Sequence, residues 1–362
     1  MIFGIGKKKK VSSGLSFKRR VESFWDWYAT NSRHFLEKID SGAIDDIVPE
    51  IEQNTSEWLV GLSWVFGPGT EDGHSFTITG EGDLSRQFLA EQCRLMSPSL
   101  PGWTFYGSRQ ASSSDSVCNM AISLGDADID AESIRVVPAV DVEAERVDLS
   151  FWHPRLADMP EDQRWQIVFI FLDEALGEFG TQLTVGGLDF RDCDDDEAAI
   201  SLADLAEYVD AVCAKNEWTK DSPFSTFSVY QTENTSGRFP RGDTMVGTTC
   251  HTSLVLDFLN NEGPLDDDPL EGTGAEFIYL KIDASLFPEG KQVDVRGDAE
   301  DTLNAQLTEH HAGRTIGGAM GVDNVYIDLL LLDGDRSRQI VDAVMTAMGW
   351  QAQYEICSFS KE

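Results

Sequence analysis

Between Val21 and Ile39 the apolar residues Val21, Phe24, Trp25, Tyr28, Phe35, Leu36 and Ile39 recur at helical spacing. That period predicts an amphipathic helix with an aromatic inner face. A second stripe through Ile44, Ile47, Val48, Ile51 and Trp58 is interrupted by Pro49, so its helix is expected to start near that proline. The period then drops to two. "VGLSWVF" puts Leu62, Trp64 and Phe66 on one face, and "HSFTITG" does the same with Phe76 and Ile78, as in half-buried strands. "GDLSRQFLAEQCRLM" returns to helical spacing through Leu84, Phe88, Leu89, Cys93 and Met96, with Asp83 or Ser85 as its cap. Pro98, Pro101 and Gly102 close it, and "WTFYGSR" reads as a strand.

Further along, "ERVDLSFW" alternates with Val147, Leu149 and Phe151 on one face. "WQIVFIFL" is apolar at every position but Gln166 and reads as a central strand buried on both faces, followed by a short helical segment around Glu174–Phe179. "TQLTVGGLDF" predicts a strand bulged at Gly186-Gly187. The acidic run "RDCDDDEAA" leads into a helix carrying Leu202, Leu205, Val209 and Val212, its acids placed where the helix dipole favours them. The last third opens with "STFSVYQ" and "TMVGTTCHTSL" and passes through the loop "NNEGPLDDDPLEGTG". A strand "EFIYLKID", a helix "DTLNAQLTEHH", a strand "NVYIDLLLL", a helix "DRSRQIVDAVMTAMG" and a closing strand "WQAQYEICSF" follow.

One segment echoes another. "GDLSRQ" at 82–87 and "GDRSRQ" at 334–339 differ at one position. Each opens an apolar-striped helix after a strand, and each helix runs through Gly-Trp (Gly102-Trp103, Gly349-Trp350) into a further strand. Asp or Ser caps the helix start, and glycine permits a left-handed helix end. A right-handed crossover would set the flanking strands parallel. The expected class is α+β: two to three ferredoxin-like modules of β-β-α-β type, mostly antiparallel sheets with helices on one face. The expected organisation is a basic, flexible arm over residues 1–20, then modules at 21–125 (with the helical start), 126–220 and 221–362.

The runs "FWDWYATNSRHFLEKI", "LVGLSWVFGPG", "HSFTITGEGD", "SPSLPGWTFYGSRQ" and "GGAMGVDNVYIDLLLLD" resemble a group of uncharacterised bacterial proteins of unknown function, in patches over most of the chain. The final helix-strand unit and the acidity also resemble the ferredoxin-like inhibitors of ribonuclease E. Neither resemblance implies an activity or transfers a residue.

Composition narrows the function classes. The 362-residue chain is 41% hydrophobic, with nine Trp and twenty Phe, which suffices for packed cores in more than one domain. Acidic residues outnumber basic ones 63 to 28, for a net charge of -35. Such a surface repels phosphate backbones, so no nucleic acid is expected as partner, and it attracts a basic protein. The six cysteines form no CxxC pair, which points to free thiols in a reducing, cytoplasmic setting. No apolar run is long enough to span a membrane. At the start, Lys7 to Lys10, Lys18, Arg19 and Arg20 follow the apolar Met1, Ile2, Phe3 and Ile5. A solvated arm is the simpler reading; peripheral contact of residues 1–20 with an anionic membrane is the other.

Candidate chemistry is sparse. No HExxH, GxSxG or GxxxxGK[ST] occurs. Adjacent Cys250 and His251 point apart in a strand and do not share a proton there. "GDADIDAES" sets Asp126, Asp128 and Asp130 at alternate positions, but Ala131 and Val137 stand where a calcium loop needs Gly and Glu. No metal or cofactor is expected. In "RTIGGAMGVD", Arg314, Gly317, Gly318 and Gly321 are the candidate ligand-binding residues. Their place after a helix and before a strand suits a bend better than a phosphate cradle, which follows a strand and opens a helix. The expected function is a non-catalytic protein-binding or regulatory role; the alternative is a hydrolase-type enzyme with a site assembled from distant loops.

Overall fold

A computed structural model describes residues 3–4, 14–70, 73–124, 127–157, 159–194, 197–219, 222–232 and 237–361. Its class is α+β. The chain divides into two compact units, Met1–Gly107 with Phe227–Glu362, and Ser108–Thr226. The modules expected in series at 21–125 and 221–362 are therefore halves of one unit, and the middle unit runs wider than 126–220. The physical reason is direct bonding between the distant segments. Phe17 N–H donates to Gly274 O at 3.0 Å, Lys18 N–H donates to Leu332 O at 2.9 Å, and Phe88 packs edge-on to Phe277.

The first unit begins with β1 (Phe3–Gly4), α1 (Phe17–Asp40), α2 (Val48–Trp58), β2 (Ser63–Pro68), β3 (His74–Thr79), α3 (Leu84–Leu95) and β4 (Trp103–Tyr106). Ser16 caps α1, so Lys18, Arg19 and Arg20 lie in its first turn rather than in an arm. Lys7 to Lys10, and the membrane contact attributed to them, lie outside the described residues. Phe24, Tyr28 and Phe35 of α1 are fully buried: Phe24 and Tyr28 pack on Phe76, which stacks on Trp64, Tyr28 also meets Phe105, and Phe35 packs on Tyr28. Burial of each such ring is worth about 1.5–3 kcal/mol. The sheet order is β1-β2-β3-β4, with β2 and β3 antiparallel and β3 and β4 parallel across α3.

The second unit holds α4 (Ser114–Cys118), β5 (Ala121–Leu124), β6 (Ala127–Asp130), β7 (Arg135–Asp141), β8 (Arg146–Trp152), α5 (Glu161–Thr184), β9 (Val185–Phe190), β10 (Ile200–Ser201) and α6 (Leu205–Asn216). Its sheet order is β10-β7-β8-β9, with β8 and β9 parallel. The run "WQIVFIFL", expected as a strand, lies inside α5. An unbroken apolar run carries no period, so the sequence leaves its state open. Ile167, Val168, Phe171, Leu172 and Ala175 are buried at helical spacing, while Phe169 and Ile170 are 47% and 50% exposed. Parallel neighbours also need a crossover rather than a hairpin, and α5 supplies it. The bulge expected at Gly186-Gly187 is present as a register shift between Val147 and Leu149, with Gly187 N–H donating to Asp148 Oδ1 at 2.5 Å.

The first unit resumes with β11 (Ser228–Gln231), β12 (Thr244–Thr249), α7 (Thr252–Asn260), β13 (Glu276–Asp283), α8 (Gln292–Glu309), β14 (Gly313–Gly321), β15 (Asn324–Leu331), α9 (Asp335–Ala347) and β16 (Tyr354–Ser358). These strands form one sheet in the order β11-β12-β14-β15-β13-β16, every neighbour antiparallel. Helices α8 and α9 bury Leu303, Leu307, Val341 and Met345 against Leu280, Ile327 and Leu329 on one face. The glycine stretch expected as a bend is β14 itself, paired along both edges.

The echoed segments share local geometry but not sheet context. Gly102 and Gly349 both hold positive φ (78° and 80°) just before a tryptophan. The first helix links adjacent parallel strands; the second links β15 to β16, with β13 lying between them. The cap also differs. Asp83 accepts the Arg86 N–H, whereas Gly334 occupies the cap of α9 and makes no side-chain bond.

Candidate functional site

An open cleft of about 590 Å³ lies in the first unit between the starts of α3 and α7 and the loop through Asp266 and Asp267. Its floor is a contact that joins distant parts of the sequence: Ser85 Oγ lies 2.7 Å from His251 Nε2, and both residues are buried. Asp83 caps α3 and so fixes the turn that presents Ser85. His251 caps α7 in an unusual way, through its ring. Nδ1 accepts the Leu254 N–H at 3.3 Å, and Ser253 Oγ lies 3.4 Å from the same nitrogen. Thr249 Oγ1 holds the His251 N–H at 3.0 Å, and the rings of Phe88 and Phe277 close on the imidazole edge-on. Burial pushes the His251 imidazole down to about 4, with Asp83 opposing.

The Leu254 contact implies the tautomer. A neutral imidazole has one N–H donor and one acceptor nitrogen. Nδ1 faces a backbone N–H and must accept, so Nε2 carries the proton and donates it to Ser85 Oγ. A serine nucleophile needs the reverse, a histidine nitrogen that takes the hydroxyl proton. Cys250 does not substitute for the serine. Its Sγ donates to Ile316 O at 3.4 Å, and burial pushes its thiol up to about 12. At the mouth of the cleft stand Asp257, Asp266, Asp267 and Lys361, with Lys361 bonded to Asp266 and holding that carboxyl below its ordinary range.

A second polar cluster lies on the face of the six-stranded sheet away from α8 and α9. Arg241 Nη1 donates to Asp328 Oδ1 at 2.6 Å, and its Nη2 donates to Tyr230 Oη at 3.2 Å. The guanidinium sits 4.9–5.3 Å from the ring centres of Tyr326, Tyr279 and Phe359. Burial works against the Arg241 charge and Asp328 works for it; the second prevails and holds the guanidinium protonated. Beside it Asp243 accepts the Asp323 and Asn324 N–H groups, both at 3.0 Å, together with the Tyr326 hydroxyl. A cavity of about 280 Å³ opens over Arg241, Tyr279 and Tyr326, with Lys281 and Glu355 among its lining residues.

Arg314, Gly317, Gly318 and Gly321 all lie in β14, and none of them lines either of the two cavities described above. Gly317 pairs with Thr249 and Asp328, and Gly318 with Thr248 and Ile327, so both belong to ladders on each side. Successive strand residues face opposite ways. The glycines serve close approach: a side-chain carbon at Gly318 would fall 2.2 Å from Glu300 Oε1, and one at Gly321 2.5 Å from Asp243 Oδ2. Burial lowers the Arg314 guanidinium, with Cys250 and Glu91 opposing. Burial also pushes the Glu300 carboxyl up to about 7, although Arg296 lies 3.1 Å away and opposes.

Ser85 and His251 stand 166 residues apart, and nothing local in the sequence marks a contact across that separation. Histidine is also a rare helix cap, so the pattern "CHTSL" carried no cap signal. Among the described residues no three His, Cys, Asp or Glu side chains gather to hold a metal. Asp128 and Asp130 serve their own hairpin, bonding Ser123 and the Ser133 N–H; Asp126 lies outside the described residues. Among the described residues no helix is long and apolar enough to cross a membrane. Comparison of the chain with known protein families, curated proteins and solved structures finds no match.

Proposed function

We propose that this protein binds a basic protein partner and acts as a non-catalytic regulator. The reading rests on the contacts at the cleft floor: with Nδ1 accepting the Leu254 N–H, the neutral His251 ring donates from Nε2 to Ser85, so this cleft presents no activated nucleophile. The carboxylates of Asp257, Asp266 and Asp267 at its mouth, on a chain of net charge -35, favour a cationic group there. The six cysteines are free, which suits a reducing, cytoplasmic setting.

The finer fold belongs to the same proposal. The succession β13-α8-β14-β15-α9-β16 with strand order β14-β15-β13-β16 supports a ferredoxin-like unit extended by β12 and β11. Kinship with the uncharacterised bacterial group rests on the quoted sequence runs and adds no activity.

The test is affinity capture from native lysate with the full chain and a triple variant, Asp257→Asn, Asp266→Asn and Asp267→Asn. The reading expects a basic protein retained by the first and lost by the second, with retention falling as salt rises. Equal capture by both would remove the cleft from the account. A hydrolase is the second reading, favoured by the 2.7 Å approach of Ser85 to His251 at the floor of an open cleft. Covalent labelling of Ser85 by a fluorophosphonate, abolished in Ser85→Ala, would establish it.

A further inference from the structure

Strand β11 ends the six-stranded sheet and pairs, among the described residues, with β12 alone. An edge strand offers a row of unpaired N–H and C=O groups, and proteins guard such edges with charge, proline or cover. Among the described residues, β11 carries no charge or proline and no further strand pairs with it. From Phe227 to Thr232 and from Thr244 to Leu256 no Lys, Arg, Asp, Glu or Pro occurs, in a chain that is 25% charged. The strand register sets Val229, Gln231, Val246 and Thr248 on the same face as Gly318 and Ile327, the face that α8 and α9 cover farther along the sheet. Among the described residues, β11 is left largely open on that face. Val229 is 69% exposed, Phe227 49% and Met245 42%.

We infer that β11 is the contact edge of a homodimer, in which two copies of this chain pair their β11 strands antiparallel about a twofold axis. Charge selects the occupant. A basic partner would find no carboxylate on these two strands to pair with, and the acidic surface elsewhere would serve it better. Two copies of net charge -35 repel over most of their surfaces, and an uncharged edge is where that repulsion is least. An antiparallel strand pair is self-complementary, as a twofold interface requires. The contact is independent of the cleft and of the partner proposed for it.

The test is sedimentation equilibrium of the full chain at low salt and at about 0.5 M salt, where charge repulsion between copies is screened. The expected result is a concentration-dependent dimer that tightens as salt rises. Val229→Lys and Val229→Asp should each weaken it at least about tenfold, whereas Val229→Thr, which keeps the branched shape, should not. Gln231→Lys, at an exposed position on the same strand, should weaken it as well and guards against a folding defect specific to Val229. A monomer at both salts, a dimer that loosens with salt, or a dimer unchanged by the charged variants would each overturn the inference.

Discussion

Arg241 and Asp328 meet where no water reaches them; Ser85 and His251 meet at the floor of a cleft open to it. Both pairs consist of residue types found in active sites, and both lie on the first unit. The difference lies in what surrounds them. Every strong bond of Arg241 is to another buried group, so the pair pins the 237–243 loop onto the sheet. Ser85 and His251 border free space, but the proton on His251 is committed by a backbone N–H on the other side of the ring. Burial settles the role of the first pair and hydrogen-bond direction settles that of the second. Residue type settles neither.

The sharpest way to break this contrast is Asp328→Ala. It strands the Arg241 charge among three rings and should cost about 3–5 kcal/mol in urea unfolding. Replacing both partners by apolar residues of similar volume should cost much less than either single change. If Asp328→Ala cost no more than Ser85→Ala, the lock would not be one.

Two buried groups give pH trends of opposite sign. Glu300 holds its proton up to about 7, against an ordinary 4.5, so its contribution is full below 4.5 and is lost as pH rises to 7. Glu300→Gln should therefore stabilise the fold by about 1–3 kcal/mol at pH ~8 and by little at pH ~4. His251 is held down at about 4, so its contribution is full above 6.5 and is lost as pH falls to 4. His251→Asn keeps a capping side chain but removes the titration. It should cost about 1–2 kcal/mol at neutral pH and flatten the acid side of the stability profile. Thermal melts across pH check both. The smallest effect is Ser85→Ala, about 1 kcal/mol. Its echo Ser337 donates to Ala312 O and accepts the Asp333 N–H, so Ser337→Ala should cost more.

Much of the fold was legible where periodicity was strong. The stripe from Val21 to Ile39 lies in α1, Pro49 lies in the first turn of α2, and the glycine pair at 186–187 marks a real bulge. It failed where period was absent. From Ile167 to Leu172 no polar residue declares a face, and β14 is so rich in glycine that it reads as a bend. Its strand state comes from β12 and β15 on either side, which is tertiary information. The site was less legible still. Ser85 was visible only as a helix cap and His251 only as a neighbour of Cys250; their meeting depends on how α3 and α7 pack.

The most direct test is nitrogen-15 NMR of the His251 ring in the full chain, followed with pH. The account predicts a neutral ring with the proton on Nε2 from about pH 8 down to about pH 5, with Nδ1 accepting a hydrogen bond throughout. A proton on Nδ1, leaving Nε2 free to take the Ser85 hydroxyl proton, would contradict it and turn the cleft into a candidate catalytic site.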